Sequence, residues 1–554
     1  PMFIKVTKSG KYEYAQLVEA YRENGVVRHR VLLNFGRLDH IRNHPSFQRL
    51  ALKLAELSAV ETNIHTIEDI SEAEISNYGY LAYRRLWEQF GLPTLLGKAQ
   101  DRVTFDLEQA CFLMAVQHLL TSRSKLGTYL GQNRYFNLPP VQLHHLYRAL
   151  DILARSKESL EAELFFRSRN LFNLKVDVVF FDVTTFHFES VRKDRLRDFG
   201  FSKDGKGNEV QVVFGLLVDQ SGRPVGYELF PGHTFDGHTL ESALEKLAER
   251  FGIHRVIIVA DRGINSKLNL KRIRDRGYGY IVASRLKKMP EEVLTAVFDP
   301  TGYQDGSSLD TMTWRYKVLP YLNRFQMEGQ CFELPESLIV TYSEERAIKD
   351  RADRERNIER AEFLLKNRSR IKAQHKRGGR KYLRELTEGP IDWILDEEAI
   401  LREARFDGYY TLQTSEKDLS PQAILDIHHN LWKIEESFRI MKSTLEVRPV
   451  FHWTESRIKG HFALCFLAFL LERTLEFQCH EAGLTASPEQ IREALNSLNF
   501  VEVKVQGKTF LIKTKASKLA HDIWRLLRLK PPKNVTPKEE LPLHSPPIAV
   551  DSGC

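Results

Sequence analysis

Cysteine is scarce in this sequence and badly placed for cross-linking: Cys111, Cys331, Cys465, Cys479 and Cys554 lie far apart and form no CxxC pair. That argues against a disulfide framework or a zinc site and points to a reducing compartment, the cytoplasm. Long apolar runs are missing too. The longest, Phe462 to Leu471, falls well short of the ~20 residues a bilayer demands, so no membrane span is expected. Met2 to Lys11 is charged and has no apolar stretch of the kind a secretion signal needs. Acidic residues are the minority: 73 Asp and Glu face 81 Lys and Arg, for a net charge of +8. An excess of that sign favours a polyanionic partner.

At 554 residues the chain exceeds what one core organises, and several domains are expected. Residues 2–40 alternate in β fashion around Asn24-Gly25, a type I′ hairpin signal, and form a small β module. Residues 41–172 have helical spacing, as in Leu107, Ala110, Cys111, Met114, Ala115 and Leu119, and form an all-α region. Arg123, Lys125, Gln132, Asn133 and Arg134 cluster near a turn there, compatible with DNA contact and equally with a solvated loop. Residues 173–289 and 406–480 are the two parts of an α/β core, separated by a β-rich and helical insertion at 290–405. Residues 481–529 follow as a C-terminal helical region. Six prolines between Lys530 and Cys554 suggest a disordered tail over 530–554.

The core carries the chemistry. Val176 to Asp182, Glu209 to Val218 and Pro224 to Leu229 have the composition of three strands, His238 to Phe251 that of a helix, and Val256 to Asp261 that of a fourth strand. Three strands in a meander, then a right-handed crossover, bring the fourth strand back parallel beside the first. Asp182 and Asp261 then end neighbouring strands. Carboxylates beside apolar residues are costly unless a cation meets them, and a divalent metal is the natural candidate.

Beyond the insertion, Ile434, Phe438, Met441 and Leu445 form the buried stripe of a helix over 421–447, with Glu435, Arg439 and Lys442 on one face beside it. Spacing alone also fits an exposed salt-bridge ladder. The two aspartates favour a third carboxylate that completes a cradle for two Mg²⁺ ions, with Arg439 and Lys442 on flanking phosphates. Between Lys366 and Arg384 there are nine Lys or Arg and no acid. An unbalanced run of that kind favours contact with a polyanion, here through Arg377, Arg380 and Lys381.

Phe181-Asp182-Val183-Thr184-Thr185, Ala260-Asp261-Arg262-Gly263-Ile264 and Ile434-Glu435-Glu436-Ser437-Phe438-Arg439 resemble, in order, the three acidic motifs of DDE transposases of bacterial insertion sequences. The branch is the one with a Tyr-Arg-Glu-Lys signature. Met2-Phe3-Ile4, Leu146 to Asp151, Gly200 to Asp204, Phe230 to His233 and Arg448 to His452 extend the resemblance over nearly the whole chain. It implies an RNase H-like core, a mixed five-stranded sheet with helices, within a multidomain α/β protein. It implies Asp182, Asp261 and Glu435 as a catalytic triad holding two Mg²⁺ ions, with Mn²⁺ able to substitute, and Lys442 on the transposon-end phosphate. Lys203, Arg262 and Arg448 of the matched segments are expected on DNA. The expected partners are terminal inverted repeats, target DNA and a second copy of the chain, in the bacterial cytoplasm at the nucleoid.

Two signature positions depart. His428 stands where the family has Tyr; it retains the capacity to donate to a phosphate. Leu431 stands where Arg is usual, and cannot donate. Glu436 competes with Glu435 by chemistry, and register against Lys442 favours Glu435. Gly200 to Lys206 spells GxxxxGK but is followed by Gly207 and a strand, so it is no P-loop. His233 and His238 lack further ligands for zinc. Trp432 and Trp453 are placed to stack on a base or to pack as core. The rival functions are a metal nuclease without strand transfer and a domesticated, non-catalytic DNA-binding protein.

Overall fold

The computed structural model describes residues 2–23, 26–43, 49, 74–100, 103–172, 178–201, 208–253, 256–306, 314–327, 329–367, 378–386, 392–447, 450–505 and 508–540. The Asn24-Gly25 turn, Lys203, Arg377 and Arg448 lie outside them.

β1 (Met2–Ser9), β2 (Tyr12–Glu23) and β3 (Val26–Arg37) make an antiparallel sheet in that order. Leu17 packs it against Val501 and Val503 near the C-terminus. Short β4 (Ile75–Asn77) then joins that C-terminal sheet. Next come α1 (Leu107–Leu120), capped by Asp106 on the Gln109 amide at 2.9 Å, and α2 (Lys125–Gly131), capped by Ser124. α3 (Leu143–Phe172) completes the region.

The central sheet has nine strands. β5 (Val178–His187), β6 (Gln211–Asp219) and β7 (Pro224–Pro231) form the antiparallel meander, and α4 (Asp236–Phe251) leads to β8 (Ile257–Ala260). α5 (Lys267–Asp275) leads on to β9 (Gly279–Ala283). β8 lies parallel between β5 and β9. The order 7-6-5-8-9 continues without a break through strands of the insertion. β10 (Gln304–Asp305), β11 (Trp314–Met327) and β12 (Gln330–Ser343) join it, with β15 (Tyr409–Thr414) paired between β12 and β9. Thus β11 and β12 enlarge the core sheet and do not build one of their own. Buried Glu336 of β12 knits this junction, bonded to Tyr280 of β9 and Gln413 of β15. The rest of the insertion is α6 (Glu344–Lys366), the small hairpin β13 (Leu383–Leu386) and β14 (Asp392–Leu395), and α7 (Glu397–Ala404).

The span 421–447, expected as one helix, is broken. α8 (Pro421–His429) stops at Asn430, whose side chain donates to Asp426 O at 2.9 Å, and α9 (Trp432–Arg439) restarts. Ile440–Thr444 widens into a π-helix where Ser443 Oγ donates back to Arg439 O at 2.6 Å, a side-chain bond that competes with the helix ladder. α10 (Glu455–Glu481) is buried on all sides from His461 to Leu475, which identifies a core helix. A side chain at Gly460 would meet Leu150 O at 1.9 Å, so glycine is what lets α10 approach α3.

The C-terminal region is not purely helical. α11 (Pro488–Asn496) is followed by β16 (Asn499–Val505) and β17 (Lys508–Lys513). The stretch expected as a disordered tail begins with structure: β18 (Val535–Pro537) pairs with β17, because that strand offers an open edge. Residues 541–554 lie outside the described residues.

Candidate active site

β5 and β8 pair in parallel with Val178 opposite Ile257, Val179 opposite Ile258 and Phe180 opposite Val259. Continued two places past the last recorded pair, that register would bring Asp182 level with Asp261, the residue that follows β8. Alternation decides the face. Phe180 and Phe186 of β5 and Val259 of β8 belong to one core cluster, while Val179, Phe181, Ile258 and Ala260 belong to another on the opposite side. Asp182, within β5, shares the parity of the first set.

One expectation changes here. Asp182 does not end its strand; β5 runs on to His187, since β6 pairs with it that far, Asp182 lying opposite Leu216 and His187 opposite Gln211. What ends at Phe180 is the recorded pairing with β8. Asp182 is half-buried and Asp261 exposed, so desolvation is milder than the apolar runs suggest. Asp261 is held by the turn that follows it: Ile264 N donates to Asp261 O at 3.1 Å, and Asn265 anchors that turn on Ala283 O at 2.9 Å and Gln413 Oε1 at 3.1 Å.

α9 packs on β5 and β6 through Ile434 and Phe438, on the face of the sheet that carries Asp182. Lys433 Nζ fixes its start to Gln220 O at 3.0 Å, in the β6–β7 turn. Glu435 is exposed on this helix. Glu436 is instead tied by Arg473 at 3.3 Å and Arg439 at 3.2 Å. Among the described residues neither Asp261 nor Glu435 forms a salt bridge. Lys442, in the π-helical turn, brings Nζ to 5.6 Å from the Phe186 ring, on the aspartate face of β5.

α8 lies against β8 and β9 and directs His428 toward Asp261. Its ring is 5.8 Å from that of Tyr410, and its Nε2 is buried without a partner. Burial holds this imidazole down at about 4, offset in part by the Asp261 charge. His428 is therefore neutral at pH 7: it has an N–H to give but no positive charge. Leu431 is buried, as an apolar residue at that position should be.

Arg262 is exposed and lines a cleft of about 540 Å³ between the core and the insertion, with Arg285 and Tyr410. Arg439 projects into solvent at 73% side-chain exposure. The insertion's basic candidates are engaged within the fold. Arg380 is buried, its guanidinium 3.8 Å from the Trp393 ring centre and 2.7 Å from Leu383 O, and Lys381 pairs with Glu403 at 2.5 Å.

A cluster beyond the reach of sequence periodicity holds the loop after the π-turn. His118 Nδ1 is 3.1 Å from Leu445 O, His461 Nε2 is 3.1 Å from Val447 O, and buried Lys125 donates to His118 Nε2 at 3.1 Å. Cys465 completes it, with the His118, His461 and Cys465 ligand atoms within 4.8 Å of one another. Burial keeps His118 at about 3.

Residues 175–471, more than half the chain, match the family described as the transposase DDE domain. The chain belongs to the DDE transposases. Residues 4–62 also match the N-terminal domain of IS1634 family transposases, so this is a DDE transposase of an insertion sequence. DDE transposase domains generally use divalent metals, and an all-oxygen set of Asp182, Asp261 and Glu435 suits a hard divalent cation. Among solved structures, a piggyBac transposase synaptic complex with hairpin DNA is similar at 9% identity and a TM-score of 0.35, over 76% of this chain and 80% of that one. The likeness is too slight to carry detail to this DDE transposase. No curated protein matches it.

Proposed function

We propose that this transposase binds insertion-sequence ends, cleaves them by metal-dependent phosphodiester hydrolysis and joins the freed 3′-OH ends to target DNA. What supports the reading is the parallel pairing of β5 and β8, which, continued past Ala260, would bring Asp182 and Asp261 together near the helix that bears Glu435. In this reading strands 7-6-5-8-9 are an RNase H-like core, and the triad holds two Mg²⁺ ions, or Mn²⁺ in their place. When bound, the ions lower the pKa of an attacking water and stabilise the leaving oxygen.

The chain's own residues supply the rest. The Asn265 anchor keeps Asp261 fixed at its strand end, and Lys442 and Arg439 offer charge to phosphates on either side of the scissile bond. His428 gives a neutral hydrogen bond near Asp261, and the Arg of the signature is absent at Leu431. Domain limits at 2–40, 41–172, 173–289, 290–405, 406–480 and 481–529, a synaptic homodimer and a cytoplasmic, nucleoid-associated location complete the proposal.

The test is cleavage of labelled end DNA with Mg²⁺ by wild type and by Asp182→Asn. The variant should bind ends as wild type does and cleave only at background rate. Cleavage at the wild-type rate, or ends that are cut but never joined to a second duplex, would refute the triad or the strand transfer respectively.

A further inference from the structure

Arg380 and Lys381, the insertion's described candidates for DNA contact, are engaged by Trp393, Leu383 O and Glu403. Cations converge elsewhere. Arg30 of β3, Arg123 before α2 and Arg134 after it line one cleft of about 490 Å³ where the N-terminal sheet meets the helical region. Its single carboxylate, Glu19, is already paired with Arg30 at 2.8 Å. Arg134 lies over Tyr135 at 5.6 Å, and among the described residues neither it nor Arg123 has an ion-pair partner. Three guanidiniums around one acid repel each other unless an anion enters; burial first, then Arg123 and Arg30, pull the Arg134 pKa down.

The floor of this cleft is built. Asn77 donates to Leu495 O at 2.9 Å and to Leu498 O at 3.0 Å, and Asn496 donates to Leu120 O at 2.8 Å. The Asn496 Oδ1 is left buried without a partner. Arg123 also walls a second cleft of about 150 Å³, which holds Lys125 and His452 with Glu446 as its acid. Lys125, only 5% exposed, is engaged inside that cleft by His118 at 3.1 Å, so Arg123 is the guanidinium that the two clefts share. Three guanidiniums drawn from β3 and from both ends of α2 spread positive charge over more than one phosphate, as contact with a nucleic-acid backbone requires.

We propose that Arg30, Arg134 and Arg123 form a phosphate track that carries the backbone of duplex DNA across the junction of the N-terminal sheet and the helical region. The track rests on the DNA-directed reading above but not on its metal chemistry. It positions DNA without selecting sequence.

The experiment is fluorescence anisotropy of the full chain on a random-sequence duplex of about three helical turns, titrated with salt in EDTA. Arg123→Gln with Arg134→Gln should weaken binding about tenfold and flatten the log–log salt slope by about 1.8, two phosphate contacts' worth. Arg324→Gln, in β11 at 68% exposure, should change neither, and circular dichroism should show every variant folded. An unchanged slope and affinity in the double variant would overturn the track. So would displacement of DNA by inorganic phosphate beyond ionic-strength-matched chloride, with the slope unchanged, which would mark a small-anion site. Without divalent metal no cleavage enters the readout, so failure here and failure of Asp182→Asn to lose cleavage are separate results.

Discussion

Arg473 of α10 donates to Glu436 at 3.3 Å, and to Glu476 at 2.6 Å. This contact ties the helix that carries Glu435 and Glu436 to the buried centre of the molecule, and it distinguishes two adjacent glutamates by their contacts. Glu436 belongs to packing; Glu435 is left to face outward.

Glu435→Gln should therefore abolish cleavage of end DNA with no change in melting temperature. Glu436→Gln should keep cleavage within about threefold and lower stability by about 1 kcal/mol, the worth of a partly buried pair that leaves Arg473 with Glu476. Thermal melts beside a nicking assay give both numbers. The reverse pattern would move the triad by one residue.

Behind the sheet, Arg250 of α4 bridges Glu161 of α3 at 2.5 Å and Glu228 of β7 at 3.0 Å. All three are nearly buried, at 7%, 3% and 11% side-chain exposure. Arg250→Met would strand two carboxylates that Lys157 and Lys246 only partly satisfy, costing about 3 kcal/mol. Urea unfolding measures it; a loss under about 1 kcal/mol would show that the lysines suffice.

Glu472 is buried in α10 beside Tyr83, and burial pushes its carboxyl up to about 8. The folded chain then holds a proton that the unfolded chain releases above its ordinary value near 4.5. Stability should fall as pH rises from about 5 to 8. Glu472→Gln, which keeps an acceptor for Tyr83, should flatten that slope and gain on the order of 2 kcal/mol at the upper end. Melting curves across the window decide it, and parallel slopes in both proteins would remove Glu472 as the cause.

β5, β8 and the crossover between them are legible in the sequence because Val178 to Phe181 and Ile257 to Ala260 are apolar runs too short for helices. The end of a strand is harder to see. Thr184, Thr185 and His187 lie buried in β5 because β6 is long enough to pair with them, a fact about the partner and not about β5. The break at Asn430 escapes periodicity for a related reason: Ile434 and Phe438 keep helical spacing within α9 whether or not α8 runs into it. A run of like charge tells its solvation but not its partners, and Arg380 finds Trp393 only once β14 has folded against it. The cluster of His118, His461 and Cys465 unites α1 with α10, residues too distant in sequence for any spacing rule.

The nine-stranded sheet also bears on how such a chain can be altered. β15 pairs with β12 on one side and β9 on the other. Excising 290–405 and splicing the ends would leave β15 with a bare row of amides and carbonyls and would remove the partner that buried Glu336 provides. Such an edge invites a neighbouring molecule to add a strand. The insertion is thus no removable cassette, and a shortened chain should be recovered as aggregate rather than as a minimal catalytic core.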